Sequence, residues 1–200
     1  GDCFKPDQLV LSILAGKSMA TLKQGLRYNA IVRAMPNTPA QINRGTTVWT
    51  ASESVNDEQK AAAASILGAM GWEIYVANEG LIDMATAVSG TGPTYVFLLM
   101  EALVDAAVHM GFSRREARPI VIQTVLGSAK FAQQSDKHLA ELRNMVTSPG
   151  GTTADAIYQL DKGALRTVLS KAIWAAYQKS CLLAQMAPAA NGPERHEMNE

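Results

Sequence analysis

The chain has 200 residues, enough for one large or two small domains with a real core. Its 18 basic and 18 acidic residues cancel, which leaves no electrostatic footprint for nucleic acid or an anionic membrane surface. Cys3 and Cys181 lie far apart with no metal-ligand spacing and read as reduced thiols, no apolar run reaches membrane-spanning length, and the opening GDCFKPDQ is not a signal peptide. The class expected from this is a soluble globular protein of the cytoplasm.

From Gly1 to Asn78 short apolar strands alternate with helices. LVLSILAG, Leu9 to Gly16, is a continuous apolar run closed by glycine, the pattern of a strand buried on both faces. SMATLKQGL follows as a short helix capped by Ser18. AIVRAM is a second strand, ended by Pro36 and Pro39, and TTVWTAS a third. NDEQKAAAASILGAMG is a helix with acids in its first turn and Gly71 as C-cap, and WEIYVA closes the set. Such alternation predicts a mostly parallel sheet in an α/β layer.

From Glu79 onward strands disappear. EGLIDMATAVSG and GPTYVFLLMEALVDAAVHMG are two helices separated by the glycine-rich SGTGP, with Pro93 in a first turn. SRREARPIVIQTVLGSAKFAQQ has Ser113 and Glu116 in capping-box spacing, and Pro119 implies an early kink or a longer first turn. KHLAELRNMV, TADAIYQLDKG and ALRTVLSKAIWAAYQKSCLLAQM complete the helices. The polar APAANGPERHEMNE reads as a disordered tail. The domains expected are thus 1–78 (α/β), 79–186 (all-α) and 187–200 (tail). Apolar residues Tyr95 to Met100 cover every face of their helix, so it is central to a bundle or buried by another subunit. An intertwined homodimer or a larger ring is expected.

RNMVTSPGGTTADAI, Arg143 to Ile157, interrupts the helices with a proline, two adjacent glycines and four hydroxyl residues, Thr147, Ser148, Thr152 and Thr153. Pro149 ends one helix, Gly150 and Gly151 let a group approach the backbone, and Thr152 or Thr153 can cap the next helix. The free N–H groups there favour an anion such as a carboxylate. An ordinary turn and N-cap explains the same residues.

VRAMPNTPAQINRGTT, DMATAVSGTGPTYVFLLMEALVDAAVHMGFSRREA, TVLGSAK and LRNMVTSPGGTTADAIYQLDKGALR, in that order, resemble the pyrroline-5-carboxylate reductases from about Leu9 to Leu183. The resemblance implies a Rossmann-like dinucleotide-binding domain followed by a helical dimerisation domain. It also implies reduction of 1-pyrroline-5-carboxylate to L-proline by NADPH or NADH. It places Thr152 and Thr153 against the substrate carboxylate, with Ser148, Gly150 and Gly151 shaping the loop. Glu79 then neighbours the substrate, unless it is only a first-turn helix acid. Thr86 matches a threonine linked with the imine nitrogen; being a poor acid, it orients a water or hydrogen-bonds the ring, or else merely bonds back to a helix carbonyl.

Ligands of α/β sheets bind beyond the carboxyl ends of strands, which makes Met35, Pro36 and Asn37 candidates to touch the nicotinamide. By resemblance Ile13, Leu14 and Ala15 line the cofactor too, although Ile13 and Leu14 also read as plain core. No G-x-G-x-x-G turn occurs in the 200 residues. The chain is therefore expected to enter the family pattern inside the nucleotide-binding domain and to be inactive by itself, with a non-catalytic oligomerisation and substrate-domain fragment as the alternative reading. Met145 stands where relatives often carry a polar residue, so no polar cofactor contact is expected from it. A β-hydroxyacid dehydrogenase relative, with Lys130 as its catalytic lysine, is a weaker reading that SPGGTT opposes. His109, His138 and His196 have no partner at catalytic spacing, and no metal site is expected. The resemblance puts the site between the α/β part and the helices, closed by a second subunit.

Overall fold

The structure is a computed structural model, and it describes residues 4–5 and 7–185; the expected tail, Cys3 and His196 lie outside the described residues. The chain forms two compact units, Gly1–Gly90 with Trp174–Glu200, and Thr91–Ile173. The contacts divide the chain at residue 90 and return the end of the last helix to the first unit.

In the first unit β1 (Val10–Ser12) pairs in parallel with β2 (Ile31–Met35), in register Val10 with Ile31 and Ser12 with Arg33. The connection is α1 (Met19–Leu26), which Ser18 caps by accepting from the Thr21 amide at 3.1 Å. β3 (Gly45–Ala51) runs antiparallel to β2. The segment between them holds only a 3-10 turn, Thr38–Ile42, and a parallel crossover needs a dozen or more residues. That short link turns the expected mostly parallel sheet into a mixed one. α2 (Asp57–Gly68), started by an Asn56–Gln59 capping box, returns the chain to β4 (Gly71–Tyr75), parallel to β3. The strand order is β1-β2-β3-β4.

β2 is the strand buried on both faces. Val32 and Ala34 pack with Trp49, Val55, Ala63 and Leu67 under α2, while Ile31 packs with Met19 and Leu22 of α1. β1 falls short of expectation: it stops at Ser12, and Ile13 and Leu14 leave it 55% and 58% exposed. Gly71 is not a helix cap. Ala69 ends α2, and Gly71 opens β4 at φ +140°, where a Cβ would lie 2.3 Å from the Gly45 carbonyl oxygen.

α3 (Gly80–Ala85) continues through a π-helical turn (Thr86–Gly90) into α4 (Gly92–His109). The expected break at SGTGP is therefore a widened turn in one 30-residue helix, Gly80–His109. By length and composition that helix could cross a membrane, which corrects the sequence-based expectation that nothing reaches this length. Its first turns carry Asp83, ion-paired with Arg33 of β2.

In the second unit α4 packs on α5 (Arg114–Gln133) through Val104, Ala117 and Val121. The Ser113–Glu116 capping box starts α5, and Pro119 lies inside the helix, which runs on to Gln133. α6 (Leu139–Met145) and α7 (Thr152–Lys162) follow, then α8 (Leu165–Gln185), within which the division between units falls. Neither α6 nor α7 has a buried residue.

Candidate active site

The candidate residues fall into two groups, one in each unit. In the first unit, Ile13–Ala15 and Met35–Asn37 follow the carboxyl ends of the parallel neighbours β1 and β2, so both segments leave the same edge of the sheet. That edge is where ligands of α/β sheets bind. Ile13, Leu14 and Ala15 are all exposed, which removes the plain-core reading of Ile13 and Leu14 and leaves apolar surface at the strand end.

Met35 and Asn37 are joined to the π-helical turn. A Cβ on Gly90 would lie 2.8 Å from Met35 Cε, the movable end of a flexible side chain, so helix and strand end meet here. Asn37 spans two elements: its Oδ1 accepts from the Thr46 amide at 2.9 Å, and its Nδ2 donates to the Ser89 carbonyl at 3.0 Å. Pro36 is half-buried between them. π-Turns inside α-helices recur at functional sites. Within this one, Thr86 Oγ1 donates to the Ile82 carbonyl at 2.8 Å, and Ser89 Oγ donates to the Ala85 carbonyl at 3.0 Å.

Glu79 precedes α3 without capping it through its side chain. Its Oε1 accepts from the Met19 amide at 2.6 Å and from Arg33 Nη1 at 2.8 Å. Arg33 is 1% exposed, and its Nη2 reaches Asp83 Oδ1 at 2.9 Å, an oxygen that also accepts from Ser180 Oγ at 3.0 Å. Arg33, Asp83 and Ser180 were not among the sequence candidates. One signal was present: a charge in the middle of IVRAM, the most buried strand, requires a buried counter-charge.

The second group opens α7. Gly150 has φ +68°, a conformation glycine adopts without strain. The N-cap is Gly151, not Thr152 or Thr153 as expected, and no side chain caps this helix. Gly151 passes so near Ser148 that a Cβ would lie 2.6 Å from Ser148 Oγ. Thr152 and Thr153 are the first two helical residues, Thr152 exposed and Thr153 half-buried. An uncapped helix start with two hydroxyls is suited to an anion, against which Asp155 in the first turn acts as a like charge. Met145 is exposed, and its sulfur lies 3.7 Å from Lys137 Nζ. His138 caps α6 by accepting from the Ala140 amide through Nδ1 at 3.1 Å. Among the described residues no three His, Cys, Asp or Glu side chains are grouped to hold a metal ion.

A sheet with exposed parallel strand ends followed by an all-helical unit matches the Rossmann-like domain and helical dimerisation domain of solved structures and a family model. Residues 79–183 match the family model for pyrroline-5-carboxylate reductase dimerisation. The chain is 43% identical over 172 residues to pyrroline-5-carboxylate reductase of Synechocystis sp., covering 86% of this chain and 64% of that one. It is 42% identical over 183 residues to the Pseudomonas aeruginosa enzyme, covering 91% and 67%. Among solved structures, Plasmodium falciparum pyrroline carboxylate reductase with NADP bound superposes with a TM-score of 0.85 at 34% identity, covering 89% of this chain and 68% of that one. This chain belongs to the pyrroline-5-carboxylate reductase family. It spans 64% of the length of the Synechocystis relative.

Proposed function

We propose that this protein reduces 1-pyrroline-5-carboxylate to L-proline with NADPH or NADH, the last step of proline synthesis, as a cytoplasmic homodimer or ring of dimers. The observation that carries the reading is the edge where Met35 and Asn37 meet the π-helical turn Thr86–Gly90 beside the exposed strand end Ile13–Ala15. Such an edge receives a flat ring and holds it against fixed backbone. When bound, NADPH or NADH would supply a hydride for the imine carbon, and the proton on the ring nitrogen would come from water.

The chain's own residues have positioning work to do, which is the main requirement of a hydride transfer. Ile13, Leu14, Ala15, Met35 and Pro36 form an apolar wall for the nicotinamide and keep water from it. Asn37 holds the wall to the helix. Thr86, whose proton goes to the Ile82 carbonyl, acts on the ring nitrogen as an acceptor or through water, and not as the acid. Glu79 orders Arg33 and the start of α1, and through them the strand end. At α7 the amides and hydroxyls of Thr152 and Thr153 take the substrate carboxylate, with Ser148, Gly150 and Gly151 keeping the approach narrow. No residue among these 200 is assigned to the cofactor phosphates.

Self-association is supported by apolar exposure in the second unit. Phe97, Leu98, Leu99 and Leu103 of α4 are exposed, and α6 and α7 have no fully buried residue. Helices of this kind need a partner surface. The test of the function is loss of nicotinamide absorbance with 1-pyrroline-5-carboxylate, with proline identified as product. A protein that consumes NADPH only with an unrelated keto acid refutes the substrate reading.

A further inference from the structure

The last turns of α8 belong to the first unit and meet its strand-end edge at two points. Gly16 follows the exposed segment Ile13–Ala15 and is itself buried, in a turn at φ +64°. A Cβ there would lie 2.6 Å from Leu183 Cβ, 3.4 Å from the Leu183 carbonyl carbon and 3.6 Å from the Ala184 amide nitrogen. These atoms lie on or next to the α8 backbone and cannot swing away, so turn and helix sit directly on one another. Three residues earlier on the same face, Ser180 is the one buried residue of α8 and donates to Asp83 Oδ1 at 3.0 Å. That oxygen also accepts from Arg33 of β2, two residues before Met35. The helix end thus reaches the segment leaving β1 through Gly16, and the segment leaving β2 through Asp83 and Arg33. Beyond Ser12 no strand pairing holds the first segment. Its place is set by the seat of Gly16 on α8 and, further along, by the Met19 amide donating to Glu79.

We propose that Leu183 is a positioning residue for the reaction: pinned by Ser180 and seated on Gly16, it fixes how the apolar segment Ile13–Ala15 stands beside Met35, and with that the place of the nicotinamide ring. The proposal rests on the reductase reading above. Leu183 acts through Gly16 and the segment before it. Hydride transfer is sensitive to such placement, because a misplacement of about 1 Å costs about a hundredfold in rate. Gly16→Ala imposes a displacement of that size. Ordinary contact begins at 3.4 Å, so a Cβ at 2.6 Å forces turn and helix apart by about 0.8 Å. The left-handed backbone adds strain of its own for alanine. Leu183→Gly removes the atom that the new methyl group meets first and leaves only the contacts at 3.4 and 3.6 Å.

The test is the single-turnover rate of NADPH oxidation with 1-pyrroline-5-carboxylate, measured per folded protein so that lost stability does not count. Gly16→Ala is expected to slow this rate at least about tenfold while the substrate KM stays within about threefold of wild type. Adding Leu183→Gly should restore at least about threefold of the loss, since the two sites are in contact. Leu182→Ala, exposed and one residue away on α8, is the control and should stay within about twofold. An active wild type whose Gly16→Ala variant keeps its rate, or loses it with no relief from Leu183→Gly, overturns the proposal and leaves the reductase reading standing. A wild type that oxidises no NADPH overturns both. Ser180→Ala removes only the pin and guards against a Gly16 variant that does not fold; it should slow the step at least about threefold, and an unchanged rate overturns the proposal. Trypsin cleavage after Lys17 in the ligand-free protein reads the seat without turnover. It is expected at least about fivefold faster in Gly16→Ala and in Ser180→Ala than in wild type, because proteolysis reports local opening, and equal rates overturn the proposal.

Discussion

Replacing Arg33 with Met keeps the aliphatic stem packed and deletes the charge. The guanidinium is 2% exposed and holds two carboxylates, Asp83 at 2.9 Å with 15% side-chain exposure and Glu79 at 2.8 Å with 36%. Breaking a buried pair by removing one partner costs about 3–5 kcal/mol, because a charge is left without compensation. Glu79 is exposed enough for water to screen it, so its share is at most about 1 kcal/mol. Most of the loss comes from Asp83, and the expected total is about 3 kcal/mol. In a chain of this size that lowers the midpoint of thermal unfolding by about 6–12 °C. The Arg33→Met/Asp83→Asn double variant tests the mechanism. Removing the stranded charge while retaining an oxygen for Ser180 should recover more than about half of the loss. Urea titration of the three proteins gives the numbers. A loss below about 1 kcal/mol for Arg33→Met, or a double variant as damaged as the sum of its single variants, refutes the argument.

Asn37→Ala removes both the bond to the Thr46 amide and the bond to the Ser89 carbonyl, and is expected to cost about 1–3 kcal/mol by denaturation; a neutral change means the amide does not tie strand to helix. Thr153→Val should raise KM for 1-pyrroline-5-carboxylate about ten- to a hundredfold while leaving the KM for NADPH nearly unchanged, and a substrate KM within about twofold of wild type removes the carboxylate from the start of α7. The Glu116 carboxyl is held below its ordinary value by hydrogen bonds from the Ser113 side chain and backbone. A depressed carboxyl contributes stability above its unfolded value and loses it as pH falls through the folded one. Glu116→Gln should therefore flatten the acid limb of stability against pH, and identical acid limbs refute the capping role.

Sequence legibility followed the range of the interactions. The caps Ser18, Ser113 and the acid-rich start of α2 are local, with donor and acceptor three residues apart, and the structure forms them. β2 was legible because AIVRAM is a short, largely apolar run stopped by Pro36. The same pattern misled at LVLSILAG, since apolar residues that leave a strand end for an open edge look identical to core. β3 reversed direction because its link is short, and link length was readable in principle from the nine residues between Met35 and Gly45. The π-helical turn was hidden by Gly90, Gly92 and Pro93, which signal a break when read one residue at a time. Arg33, Asp83 and Ser180 were hidden by distance, because Arg33 is 50 residues from Asp83 and Asp83 is 97 from Ser180. At α7 the loop was located correctly, but the cap was placed on a threonine and belongs to Gly151. Threonine is the commoner cap, and only backbone geometry showed that the hydroxyls lie inside the first turn.

The most direct test of the account is isotopic. The protein is incubated with 1-pyrroline-5-carboxylate and NADPH deuterated at the transferring carbon of the nicotinamide, and the proline formed is analysed by NMR. The account predicts one deuterium per molecule at the former imine carbon, on a single face of the ring, with the yield collapsing in Thr153→Val at low substrate. Proline without deuterium, or deuterium on both faces, contradicts a fixed nicotinamide held against the strand ends at Met35 and Ile13.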